Sequence, residues 1–99
     1  MTFTTTVRVD DLRVGLLAIL AECERTMGPE IDLDADYYWN LDAAVAFDMR
    51  SEPQLDVGQL SDDLDALRDL RSGAGPVTVW HDLAHLLGIL QRIVVLALP

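Results

Sequence analysis

The chain contains no lysine. Seven arginines and two histidines face seventeen acids, thirteen of them aspartate, for a formal net charge of −10. Nucleic-acid binders need clustered basic side chains that displace counterions from phosphate, and arginines scattered through so acidic a chain exclude that class. Cysteine is almost missing as well. Cys23 alone rules out an intramolecular disulfide and suits a reducing compartment. Its place on a helical apolar spacing predicts a buried thiol acting as a small hydrophobe rather than a nucleophile. No uncharged apolar run reaches the length of a bilayer span, because Asp82 and Arg92 interrupt the C-terminal one. Asp10 and Asp11 precede the N-terminal apolar run and no small-residue cleavage site follows it, so no secretion signal is expected. These absences together predict a cytoplasmic protein. A Gly-rich phosphate loop, a Ser-His-Asp order and a Cys-His pairing are also missing. The expectation is therefore a protein that is not an enzyme and carries no cofactor.

What is present is a chain that is 51% apolar around one acidic segment. Between Glu30 and Asp69 lie twelve acids and two arginines, a net of −10, whereas the flanks hold five acids and five arginines and are neutral. A field localised in that way steers and selects basic partners more than it decides a fold. Ninety-nine residues predict a single domain, 1–99, able to bury one core without a disulfide or a metal. Abundant Ala, Leu and Arg beside the missing lysine is the composition of a GC-rich bacterial genome.

The apolar spacing predicts three principal helices. Leu12, Leu16, Ile19, Cys23 and Met27 share a face of the first, over 10–28, with Asp10 or Asp11 as its cap and Gly28-Pro29 as its stop. Before it, residues 2–9 alternate in the period-2 manner of a strand, although a frayed terminus accounts for them almost as well. Asp56 and Gln59 have the spacing of a capping box, with Leu55 and Leu60 as its hydrophobic staple, and start a second helix over 56–72 that Gly73 and Gly75-Pro76 close. The third helix, 78–98, carries Trp80, Leu83, Leu87, Leu90, Val94 and Ala97 at heptad spacing. A second apolar face, Val79, Leu86, Ile89, Ile93 and Leu96, lies one position away, so the helix needs more than one neighbour. Its polar strip is narrow, His81, His85, Gly88 and Arg92, and is expected to face solvent. Residues 29–55 are irregular; a turn of helix over 42–47 and an extended piece over 37–41 both fit.

Three groups of residues invite a chemical reading. His81-Asp82-Leu83-Ala84-His85 resembles a zinc-protease helix in which two histidines four apart reach one ion. Aspartate is one methylene shorter than the glutamate base such a motif uses, and no acid, histidine or cysteine follows His85, so metal ligands are not predicted and His81 and His85 remain weak candidates. Asp32, Asp34 and Asp36 repeat the first three carboxylates of an EF-hand loop, but Tyr37 stands where the sharp turn needs glycine and Ala43 where a bidentate glutamate belongs. Three consecutive aromatics, Tyr37, Tyr38 and Trp39, cannot all face one core in a helix or a strand. Rigid aromatics ringed by acids suit a basic protein partner, and the predicted partner-binding set is Asp32, Asp34, Asp36, Tyr37, Tyr38 and Trp39. Packing of Tyr37 and Trp39 inward, with Tyr38 outside, is the alternative.

Asp36-Tyr37-Tyr38-Trp39, then Glu52-Pro53, then Val57-Gly58-Gln59-Leu60-Ser61-Asp62-Asp63, resembles a pattern of small uncharacterised bacterial proteins over about a third of the chain. The resemblance brings no activity with it. It implies that the aromatic cluster and the helix after it form one structural unit.

The sequence thus predicts an all-α protein, a three-helix antiparallel bundle with an irregular acidic central segment. An α+β arrangement pairing residues 2–9 with 37–41 is the runner-up. The apolar C-terminal helix predicts a homodimer. The predicted function is that of an acidic, non-enzymatic interaction protein, an immunity- or antitoxin-like inhibitor or an adaptor for a basic protein. The alternatives are a metal-binding protein or metal-dependent enzyme using His81 and His85, and a structural dimerisation module.

Overall fold

The structure, a computed structural model, describes residues 4–99. The chain divides into two compact units, Met1–Asp32 and Leu33–Pro99. In the first, the only regular element among the described residues is α1 (Val9–Met27). Arg8 stands at its cap without a side-chain bond, and Asp10 and Asp11 fall inside the first turn rather than before it. There their charge opposes the positive end of the helix dipole, and Asp10 accepts from Arg13 Nη1 at 2.7 Å. Gly28, at φ 90°, returns its N–H to Glu24 and ends the helix. Among the described residues of this unit α1 meets no second regular element, and Leu12, Leu16 and Ile19 are exposed while Cys23 is half-buried rather than buried.

The second unit runs β1 (Tyr37–Leu41), α2 (Ala43–Ala46), β2 (Leu55–Gln59), α3 (Leu60–Ser72) and α4 (Val79–Ala97). β1 and β2 form an antiparallel ribbon with Tyr38 opposite Gly58, Trp39 opposite Val57 and Leu41 opposite Leu55. α3 and α4 pack against each other. The architecture is mixed α+β, which corrects the all-α bundle. The α+β runner-up placed one strand well but gave it the wrong partner: β1 pairs with residues 55–59, residues 4–8 form no strand, and Thr2 and Phe3 lie outside the described residues. Both readings of the irregular segment hold at once. The extended piece is β1, and Asp42 caps the short α2 by accepting from Ala44 N at 2.9 Å.

The predicted capping box does not form. Residues 55–59 pair across the ribbon instead, because Leu55 and Val57 find cross-strand partners in Leu41 and Trp39. α3 therefore starts at Leu60, and its cap arrives from far along the chain. The Asp36 carbonyl accepts from Leu60 N at 2.7 Å and its Oδ1 from Ser61 N at 3.0 Å. That main-chain N–H from Ser61 holds the Asp36 carboxyl below its ordinary range. Asp62 and Asp63 fall in the first turn, and Gly73, left-handed at φ 65°, terminates the helix as the sequence indicates.

α4 covers its second apolar face, centred on Leu86, Ile89 and Ile93, and leaves its heptad face outside. Gly88 and Ile89 are buried and His85 and Arg92 half-buried, while Trp80, Leu83, Leu87 and Val94 of the heptad face stay exposed. Periodicity shows which residues share a face; it does not show which face finds a partner. Here His85, Gly88 and Arg92 of the polar strip are covered together with Leu86, Ile89 and Ile93, while His81 stays exposed. Arg92 Nε donates to the Leu33 carbonyl at 2.7 Å. By length and composition α4 could also cross a membrane, against the expectation from the sequence.

Candidate functional site

The centre of the second unit is polar. Asp63, on the first turn of α3, is 2% exposed, beside Leu60 and Ile89, the two large apolar residues counted as buried among the described ones. Its Oδ2 accepts from the Tyr38 hydroxyl at 2.6 Å. Its Oδ1 lies 2.7 Å from His85 Nδ1, which donates when that nitrogen carries the ring proton. One carboxylate thus ties β1, α3 and α4 together. Strand alternation aims Tyr38 inward, toward the side of the ribbon it shares with Gly58.

Two glycines make this closeness possible. A Cβ on Gly58 would overlap the Tyr38 ring, and one on Gly88 would overlap Asp63 Oδ2 and the Tyr38 hydroxyl. Burial first, then the bond to Asp63, pushes the Tyr38 hydroxyl well above the ordinary tyrosine range. Among the described residues no buried side-chain polar atom lacks a partner, so the network is satisfied.

On the solvent side of this network lies a depression of about 360 Å³ where Asp62, Asp65 and Asp69 of α3 meet His81, Asp82 and His85 of α4. The two imidazoles contact edge to face with centroids 4.7 Å apart. His81 Nδ1 lies 3.2 Å from Asp82 Oδ1, while Asp82 Oδ2 accepts from Thr78 N at 2.8 Å. The Thr78 main-chain bond, then His81, holds the Asp82 carboxyl below its ordinary range.

The ribbon's other face is apolar and uncovered. Trp39 is 71% and Tyr37 68% exposed, and Leu41, Leu55 and Val57 of the same face are exposed too. The two aromatics also wall a groove of about 430 Å³ that continues over Leu60, Gly88, Val94 and Val95. Only the Tyr38–Gly58 end of the ribbon's polar side is half-buried, and the large side chains of its apolar side stay exposed.

The predicted partner-binding residues therefore separate. Tyr37 and Trp39 stand outward, and Tyr38 is the inward aromatic, which inverts the alternative packing. Asp36 is a helix cap. Asp32 and Asp34 are each engaged in an interaction of their own, and Asp34 adopts the left-handed conformation at φ 51°. Asp36 accepts from the main chain of Leu60 and Ser61, and among the described residues no three His, Cys, Asp or Glu side chains are placed to hold an ion. Asp63 is the residue that sequence reasoning missed. Its position in a first turn explains an acid there without a partner, and its only sequence signal is that it falls on the same helical side as Leu60 and Leu64. Comparison with protein-family models, with curated proteins and with solved structures returned no match.

Proposed function

We propose that the protein is an acidic, non-enzymatic interaction protein that works in the cytoplasm as a homodimer and binds a basic protein partner, in the manner of an immunity- or antitoxin-like inhibitor or an adaptor. The observation that carries the reading is the inverted second unit. Its interior is organised by Asp63 and two polar partners, whereas Trp39, Tyr37, Val57 and Leu55 on the ribbon and Trp80, Leu83 and Leu87 on α4 are exposed. Contiguous apolar surface of this kind marks interaction sites, and aromatics supply the anchors of such sites.

The two apolar faces take different partners. The α4 face repeats at the 3-4 spacing of a helix–helix seam over its whole length, which suits a second copy of the same helix. The ribbon face lies in a unit carrying eleven acids against four arginines, and complementary charge would speed and select the approach of a basic surface. A membrane-spanning role for α4 fits less well, because Asp82, His85 and Arg92 are all engaged by the protein's own groups.

Affinity capture from the host's lysate at low and raised salt, with Trp39→Ala alongside, tests the reading. The expected result is a basic protein retained by the wild type and lost with salt or in the variant. Capture of nothing, or of the same proteins by both forms at all salt concentrations, contradicts it.

A further inference from the structure

The interaction reading leaves His81 and His85 unused, yet both rings are held in a way that has chemical consequences. Each is bonded through Nδ1 to a different carboxylate, His81 to Asp82 and His85 to the buried Asp63. A carboxylate on Nδ1 fixes the tautomer, restrains the ring and makes the remaining nitrogen, Nε2, a better electron-pair donor; metal-binding histidines carry this support. The pair thus has an oriented outer shell before any ion arrives.

The spacing also suits a shared ion. An ion about 2.0–2.1 Å from each Nε2 sits roughly 3.2 Å from each ring centre. With both Nε2 atoms turned toward one ion, ring centres 4.7 Å apart would subtend about 95° at it, within the range of tetrahedral and octahedral shells. Leaving the edge-to-face contact takes only a side-chain rotation of His81, whose ring is exposed. Both rings line one depression, with Asp62, Asp65 and Asp69 on its opposite wall lowering the potential for a cation.

We infer that His81 and His85 form a two-histidine site for an imidazole-seeking divalent cation of the zinc, nickel or copper kind. Since no third donor joins them among the described residues, water fills the other positions and the ion exchanges readily. Magnesium and calcium, which require oxygen shells, are excluded by the same donor set. The site binds without catalysing: Asp82, which stands where a hydrolytic motif has its base, is occupied by the Thr78 N–H and by His81.

Calorimetric titration of the full chain with zinc chloride, and with magnesium chloride as control, tests the site. One zinc per chain with a Kd on the order of micromolar is expected, and no magnesium heat. His81→Ala, at an exposed position, should keep the helical circular dichroism and weaken zinc at least about tenfold. In the wild type, zinc should shift the Nε2 resonances of both imidazoles, a readout that needs no variant. Absence of heat and of imidazole shifts up to about millimolar zinc overturns the site. So does undiminished binding by His81→Ala, or equal binding of magnesium, since either places the ion on the carboxylates alone.

Discussion

α3 and α4 pack on each other, yet their outer surfaces are opposites. α3 turns Asp62, Asp65 and Asp69 to solvent and sends one acid, Asp63, inward. α4 sends His85 and Gly88 inward to meet it and leaves Trp80, 77% exposed, with Leu83 and Leu87 outside. The first helix is finished as it stands, because its outer face is hydrated and its inner acid is satisfied. The second is not, since fully burying an apolar side chain stabilises by roughly 1.5–3 kcal/mol and Trp80, Leu83, Leu87 and Val94 gain only part of this within the unit. The difference teaches that the hydrogen bonds of Asp63 organise the inside of the second unit and that its unpartnered apolar surface lies outside, on α4 and the ribbon, where the proposed dimer and partner would dock.

The sharpest way to break that contrast is at its shared point. Asp63→Ala removes the acceptor of two bonds and leaves the Tyr38 hydroxyl and His85 Nδ1 without partners. Each donor left without its acceptor in a part-buried site costs about 1–3 kcal/mol, and urea unfolding followed by circular dichroism should show a loss of at least that size. An equally stable variant would mean that the network is not what joins β1, α3 and α4.

The outer face of α4 can be broken separately. Leu83→Asp with Leu87→Asp should weaken self-association by about 3 kcal/mol or more and leave the hydrogen bonds of Asp63 intact. Sedimentation gives the first quantity and the chemical shifts of His85 the second.

Gly88→Ala sharpens the comparison, because the added methyl overlaps Asp63 and Tyr38 at their closest approach. Overpacking of this kind costs about 1–3 kcal/mol, whereas Ala in place of Gly in a helix interior would otherwise stabilise by roughly 0.5–1 kcal/mol. A melting temperature that falls rather than rises distinguishes the two.

The smallest effect concerns Tyr38. Phe at this position removes one hydrogen bond and should cost about 1–2 kcal/mol near neutrality. The pH dependence follows from the raised Tyr38 pKa. Below the ordinary tyrosine value of about 10 both folded and unfolded forms keep the proton, and the contribution of the hydroxyl is fully present. Above it the unfolded chain ionises first, so stability is lost as pH rises toward the folded-state value. Wild-type stability should fall above pH of about 10 more steeply than that of Tyr38→Phe, by denaturant titration at matched ionic strength.

The long helices were legible in the sequence, whereas the α+β class was not its first reading. The glycine stops at Gly28 and Gly73, the α1 stripe and the full length of α4 all follow from local chemistry, which the structure keeps. The start of α3 did not follow. Asp56 and Gln59 have the right spacing for a local cap, but Leu55 and Val57 pair with Leu41 and Trp39, and that non-local choice left the cap to Asp36. The same limit hid the site. Tyr38 and Asp63 are 25 positions apart and Asp63 and His85 are 22 apart, and a spacing pattern carries no information at such range. The aromatic triplet did announce that its members must part company; which one turns inward is decided by Gly58, across the ribbon, whose missing side chain admits the Tyr38 ring.

The central claim is that another copy of the chain covers the apolar face of α4. Light scattering on the eluting wild type and on Leu83→Asp, at the same micromolar loading, measures this directly. The claim predicts a wild-type mass of twice 11.0 kDa and a shift toward the monomer in the variant with secondary structure retained. A wild type that elutes as a monomer, or a dimer indifferent to Leu83→Asp, would contradict it.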